Sequence, residues 1–128
     1  MAVELTDTVL SKVHRDATEA SVQELSSFLQ DVLGRRITAL IAGVSNARTI
    51  SRWASGEVRD VRDHQVEQRL RTAYEVVRLL VQYDSRDTVR AWFIGLNPQL
   101  DDISPVEAIE NGDLKEVRAA ARAFIVGG

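Results

Sequence analysis

Apolar residues recur at three- and four-residue intervals along most of the chain, and alternating apolar and polar runs are nearly absent, so the pattern predicts helices and no sheet. The clearest stripe is Val22, Leu25, Phe28, Leu29, Val32 and Leu33, opened by a Ser21/Glu24 capping box and closed by Gly34. Upstream, Leu5, Val9, Leu10 and Val13 predict a helix with a sparser stripe. Two short helices are expected next, over 36–42 up to Gly43 and over 47–55 up to Gly56. The polar stretch 57–64 reads as a connection. Val66, Leu70, Ala73, Val76, Val77, Leu80 and Val81 then mark the longest helix, expected to run to Tyr83.

In the remaining third, Asp84 or Ser85 is placed to cap a helix carrying Val89, Trp92, Phe93 and Ile94, which Gly95 and Asn97-Pro98 end. A loop runs to Ile103. Ser104-Pro105 sets a capping hydroxyl before a proline at the first helical position, and Asn111-Gly112 closes that helix. The last helix is expected from about Asp113, with Leu114, Val117, Ala120, Ala121, Phe124 and Ile125 on its apolar face. Trp92, Phe93, Leu100 and Ile109 read as core, since large apolar residues at helical spacing are normally buried. Phe124-Ile125-Val126 either finishes the core or forms an exposed hook for a partner.

Composition narrows the classes. The 128 residues, 45% of them apolar and 27% charged, suit one domain or a small module with an extension sharing its core. Cysteine is absent, so disulfides and thiolate chemistry are excluded. Residues 1–10 lack the basic start of a secretory signal, and the longest apolar run, 39–44, is far short of the ~20 residues a membrane span requires. A cytoplasmic protein with no membrane contact is expected. His14 and His64 are isolated, and neither a Gly-x-Ser-x-Gly elbow nor a glycine-rich phosphate loop occurs. Asp101-Asp102 reads as a solvated pair. The reading is of a binding protein with no catalytic residue, no metal and no cofactor.

The net charge of −3 hides an uneven distribution. Residues 35–71 carry eight arginines against four acids, a net of +4, whereas 1–34 stand at −4 and 72–128 at −3. A local cationic patch of this kind suits phosphate. Within it, Ala39 is small enough for a close helix crossing, Gly43 permits a tight turn, and Val44, Ile50 and Trp53 are spaced to bury the second short helix. Asn46, Arg48, Thr49, Ser51 and Arg52 are left free, residue types that bond base edges and phosphates from a recognition helix. The plainer alternative is a helical hairpin with a solvated arginine face. Arg59, Arg62, Arg69 and Arg71 fit either phosphate contacts or a surface salt-bridged to Asp60, Asp63 and Glu67.

Gly43-Val44-Ser45, Ile50-Ser51-Arg52-Trp53 and Gly56 resemble the Xre type of helix-turn-helix, with one more residue between Gly43 and Ile50 than the common spacing. Ala91-Trp92-Phe93, Asn97-Pro98-Gln99-Leu100, Ser104-Pro105 through Ile109, Asn111-Gly112 and the apolar last helix follow in the order of the toxin-binding domain of the Xre/MbcA/ParS antitoxins. The resemblance covers about residues 21–128 and implies an all-α fold, with an Xre-like helix-turn-helix bundle over 21–63 and a helical toxin-binding domain over 64–128; residues 1–20 lie outside it and are expected to form a helical N-terminal extension. It also implies a type II antitoxin whose partner is a RES-domain toxin that degrades NAD. Arg118, Arg122, Phe124, Ile125, Val126 and Gly127 would then lie at the toxin's active site, and Asn46 to Arg52 at operator DNA bound by a homodimer that represses its own operon. Two other classes stay open, an Xre-type regulator without a toxin and a protein-binding module that no longer reads DNA.

Overall fold

Five of the helices begin at a hydroxyl or carboxylate cap that the sequence supplies. The side chains of Thr6, Ser21, Asp63, Ser85 and Ser104 each accept a backbone N–H from two or three residues ahead. At Ser21 the reciprocal bond from its own N–H to Glu24 Oε1 completes the capping box. The computed structural model describes residues 5–127; residues 1–4 of the expected extension and Gly128 of the tail lie outside them. Among the described residues the elements are α1 (Asp7–Glu19), α2 (Val22–Leu33), α3 (Arg35–Ala42), α4 (Arg48–Ala54), α5 (His64–Leu80), α6 (Arg86–Ile94), α7 (Pro105–Glu110) and α8 (Leu114–Gly127). The fold is all-helical, with no β-strand among the described residues.

Two details differ from the sequence reading. Helix α5 ends at Leu80, three residues early, where the N–H groups of Gln82 and Tyr83 bond three residues back, to the Leu79 and Leu80 carbonyls, instead of four. The expected loop after Asn97 instead contains a 3-10 turn, Pro98–Leu100. Asn97 Oδ1 accepts from Gln99 N–H, and the Asn97 backbone pairs with Ile103 across Asp101 and Asp102, which both sit at positive φ.

Helix α5 is the axis of the molecule, packing against α1, α2, α3, α7 and α8. Helix α4 lies on α2 and α3, and α7 touches α3, α6 and α8. Leu25, Leu29, Leu33, Ile41, Ile50, Leu70, Leu80, Phe93 and Ile109 are fully buried, and residues 21–63 and 64–128 share this core. Each such side chain contributes about 1.5–3 kcal/mol relative to exposure. Ile50 and Trp53 bury α4 as their spacing predicts, while Val44 is half-buried.

Arginines from α5 and α6 latch the ends of the first three helices. Arg71 Nη1 points at the Ala17, Thr18 and Ala20 carbonyls at the end of α1, while its Nε and Nη2 donate to Glu67. Arg69 donates to the Ile41 and Ala42 carbonyls that end α3, and Arg90 to the Val32 carbonyl near the end of α2. A cation at a helix C-terminus satisfies orphan carbonyls and opposes the negative end of the helix dipole. Gly43, left-handed at φ 79°, turns the chain out of α3 directly over Arg69: a Cβ there would lie 2.8 Å from Arg69 Nη2.

Helix α1 is also tied to α5 through Asp16, which receives Lys12 Nζ at 2.9 Å and Arg78 Nη2 at 3.4 Å. Arg78 in turn lies over the rings of Phe28 and Tyr74. The hydrogen bond from Lys12 holds the Asp16 carboxyl below its usual pKa against partial desolvation, and the charges of Lys12 and Arg78 add to it. A lowered folded-state pKa stabilises the fold above the ordinary carboxylate range, and that stabilisation is lost as pH falls through the folded value. Asp16→Asn is therefore expected to lower the melting temperature at neutral pH by an amount that vanishes at the acid end of a pH series. A difference independent of pH would show that the ion pairs contribute nothing.

Candidate nucleic-acid and partner-binding faces

The turn between α3 and α4 runs from Gly43 to Ala47. The Gly43 N–H bonds back to the Leu40 carbonyl and the Val44 N–H to that of Ala39, so α3 ends in a Schellman motif. Asn46 Oδ1 then accepts from the Arg48 N–H at 2.9 Å, an Asx turn that leads into α4. The exposed Asn46 side chain thus has its oxygen engaged while its amide donors make no contact among the described residues.

The other four residues expected at DNA divide. Arg48 is exposed and its guanidinium makes no hydrogen bond or ion pair among the described residues. Arg52 is exposed but paired to Glu57 Oε2 at 2.9 Å; with more than half of both side chains exposed, such a pair is worth about 0–1 kcal/mol and yields readily to a phosphate. Ser51 Oγ donates to Gln30 Oε1 at 2.7 Å and joins α4 to α2. Thr49 is half-buried.

Four further arginines in this region, Arg35, Arg36, Arg59 and Arg62, are exposed and make no side-chain hydrogen bond or ion pair among the described residues. Arg35 and Arg36 occupy the first turn of α3, whose N-terminus has no side-chain cap and no acid. Sequence reasoning counted them only as net charge, yet a signal was present: neither Arg36 nor Arg48 has an acid within four residues on either side. Arg69 and Arg71, by contrast, are engaged with carbonyls and Glu67 and are not offered to a ligand.

The six residues expected at a toxin also separate. Ile125 is buried in the core, and Phe124 is half-buried with its ring 6.2 Å from that of Trp92. Arg118 turns inward, Nη2 donating to Thr72 Oγ1 at 3.0 Å with Nε 3.5 Å from Glu75 Oε2. Arg122, Val126 and Gly127 are exposed. Ile94 and Leu96, at the end of α6, add large apolar side chains to the exposed surface, as does Leu40 on α3. Ile125 thus finishes the core, while Val126 lies outside it.

Among the described residues no three His, Asp or Glu side chains gather to hold a metal ion, and no helix is long and apolar enough to cross a membrane. No family model, curated protein or solved structure matches the chain.

Proposed function

We propose that this chain is the antitoxin of a type II toxin-antitoxin system, neutralising a RES-domain toxin that degrades NAD by covering its active site. In this reading an Xre-like helix-turn-helix formed by α3 and α4 also holds operator DNA as a homodimer and represses the operon. The observation that carries the proposal is the behaviour of the ordered series in 91–112. Trp92 and Phe93 stack edge to face, Asn97 organises the Pro98–Leu100 turn, and Ser104 caps α7 with Pro105 at its first turn. Asn97, Ser104 and Pro105, which belong to the series that resembles the antitoxin pattern, each organise a local turn or helix start, and Arg122, Val126 and Gly127 stand exposed on the second half of α8.

A regulator without a toxin is the second reading, and the free arginines between 35 and 62 favour it. Co-expression of this chain with a RES-domain toxin, sought first in the adjacent reading frame, separates the two. Growth arrest and NAD loss are expected to be relieved by the wild-type chain and restored by Val126→Glu, a substitution at an exposed position. Full arrest with the wild-type chain present, together with retained binding to its promoter DNA, would leave the regulator.

A further inference from the structure

Helices α1 and α8 both pack along α5 and leave between them a groove of about 400 Å³. Leu10, Ser11 and His14 line it from α1, Glu75 from α5, and Arg118 and Arg122 from α8. Glu75, with only 14% of its side chain exposed, is the single acid of the lining. It receives His14 Nδ1 on Oε1 at 3.0 Å and faces Arg118 Nε from Oε2 at 3.5 Å.

That second contact leaves donors unspent. Arg118 Nε is buried yet too poorly aligned on Glu75 to form a hydrogen bond, and Arg122, one turn further along, makes no hydrogen bond or ion pair among the described residues. Two permanently charged guanidinium groups therefore face one carboxylate. The groove is short of one negative charge.

We propose that this groove receives an aspartate or glutamate side chain of the protein partner, so that α1 and α8 together form the partner-binding face. The proposal rests on the antitoxin reading and adds to it a helix outside the antitoxin resemblance, together with the chemistry of the group it meets. A guanidinium fork matches a carboxylate in two parallel N–H to O bonds, and Leu10 gives the groove an apolar wall that limits screening by water. Glu75 acts as a positioning residue, holding Arg118 and His14 on the groove floor. A nucleic acid is disfavoured because residues 1–34 and 72–128 are both net negative and repel a polyphosphate, whereas a lone carboxylate senses mainly charges within a Debye length of about 8 Å.

Titration of the RES-domain partner into the full-length chain tests this, using Arg122→Ala, Ser11→Glu, which sets a carboxylate of the chain's own at the groove wall, and Arg15→Ala on α1 outside the groove. All three positions are exposed, and thermal unfolding of each variant checks that it is folded. Arg122→Ala and Ser11→Glu are each expected to weaken binding roughly 30-fold, with Arg15→Ala at the wild-type value, since truncating one member of a desolvated charge pair acts mainly on dissociation. Wild-type affinity in both groove variants would overturn the groove while leaving the antitoxin reading intact. No binding by the wild-type chain would overturn both. Loss of duplex DNA binding in the groove variants, with partner binding unchanged, would assign the groove to nucleic acid and equally overturn it.

Discussion

Arg71→Ala is expected to destabilise the fold by about 3 kcal/mol, the largest loss for any single charged side chain here, because it strips a cation from a part-buried pair and leaves carbonyls without donors. Arg71 is only 22% exposed and reaches from the middle of α5 to three carbonyls at the end of α1 while holding Glu67. For a chain of this size the loss corresponds to a fall of roughly 10 °C in melting temperature. Arg71→Lys should recover only part of it, since an ammonium cannot span Glu67 and the α1 carbonyls as the guanidinium fork does. Arg59→Ala, at an exposed arginine without a hydrogen-bond or ion-pair partner among the described residues, should stay within about 0.5 kcal/mol of wild type. Equal melting temperatures for the Arg71 and Arg59 variants would show that the latch on α1 contributes nothing.

The contrast between those two arginines also shows where sequence reading stops. Helix starts were legible at Ser21 and Ser104, and to within one residue at Ser85, because a cap and the N–H it binds lie three residues apart. The apolar face of α8 was legible because Val117, Ala121 and Ile125 recur at helical spacing, and the same period places Val126 outside. The duties of arginines were not. Arg69, Arg71 and Arg90 find their carbonyls 27 to 58 residues away along the chain, and no local pattern distinguishes them from Arg59 or Arg62. The same holds for Ser51, whose partner Gln30 is contributed by α2, and for Arg118, whose partners Thr72 and Glu75 are contributed by α5. The 3-10 turn at Pro98 was missed because its geometry depends on Asp101 and Asp102 both entering the left-handed region, which aspartate tolerates but does not signal.

Replacing Arg35, Arg36 and Arg48 together with alanine is expected to weaken binding to a DNA duplex roughly 30-fold at moderate salt and to lower the slope of log K against log salt by roughly 2 to 3. The reasoning follows from what each guanidinium does in the free protein. These three make no side-chain hydrogen bond or ion pair among the described residues, so a phosphate would bind them without first breaking an internal bond, and their removal should leave the melting temperature nearly unchanged. Arg52 stands one step away, held by an exposed pair with Glu57. Glu57→Gln removes that competitor together with a negative charge, so it should tighten duplex binding and steepen the salt dependence by up to about one unit. Opposite signs from two surface substitutions sites apart are hard to obtain from a change in folding. If the triple variant kept the wild-type salt slope, the free arginines of α3 and α4 would be a solvated face, and any DNA contact would have to come from elsewhere on the chain.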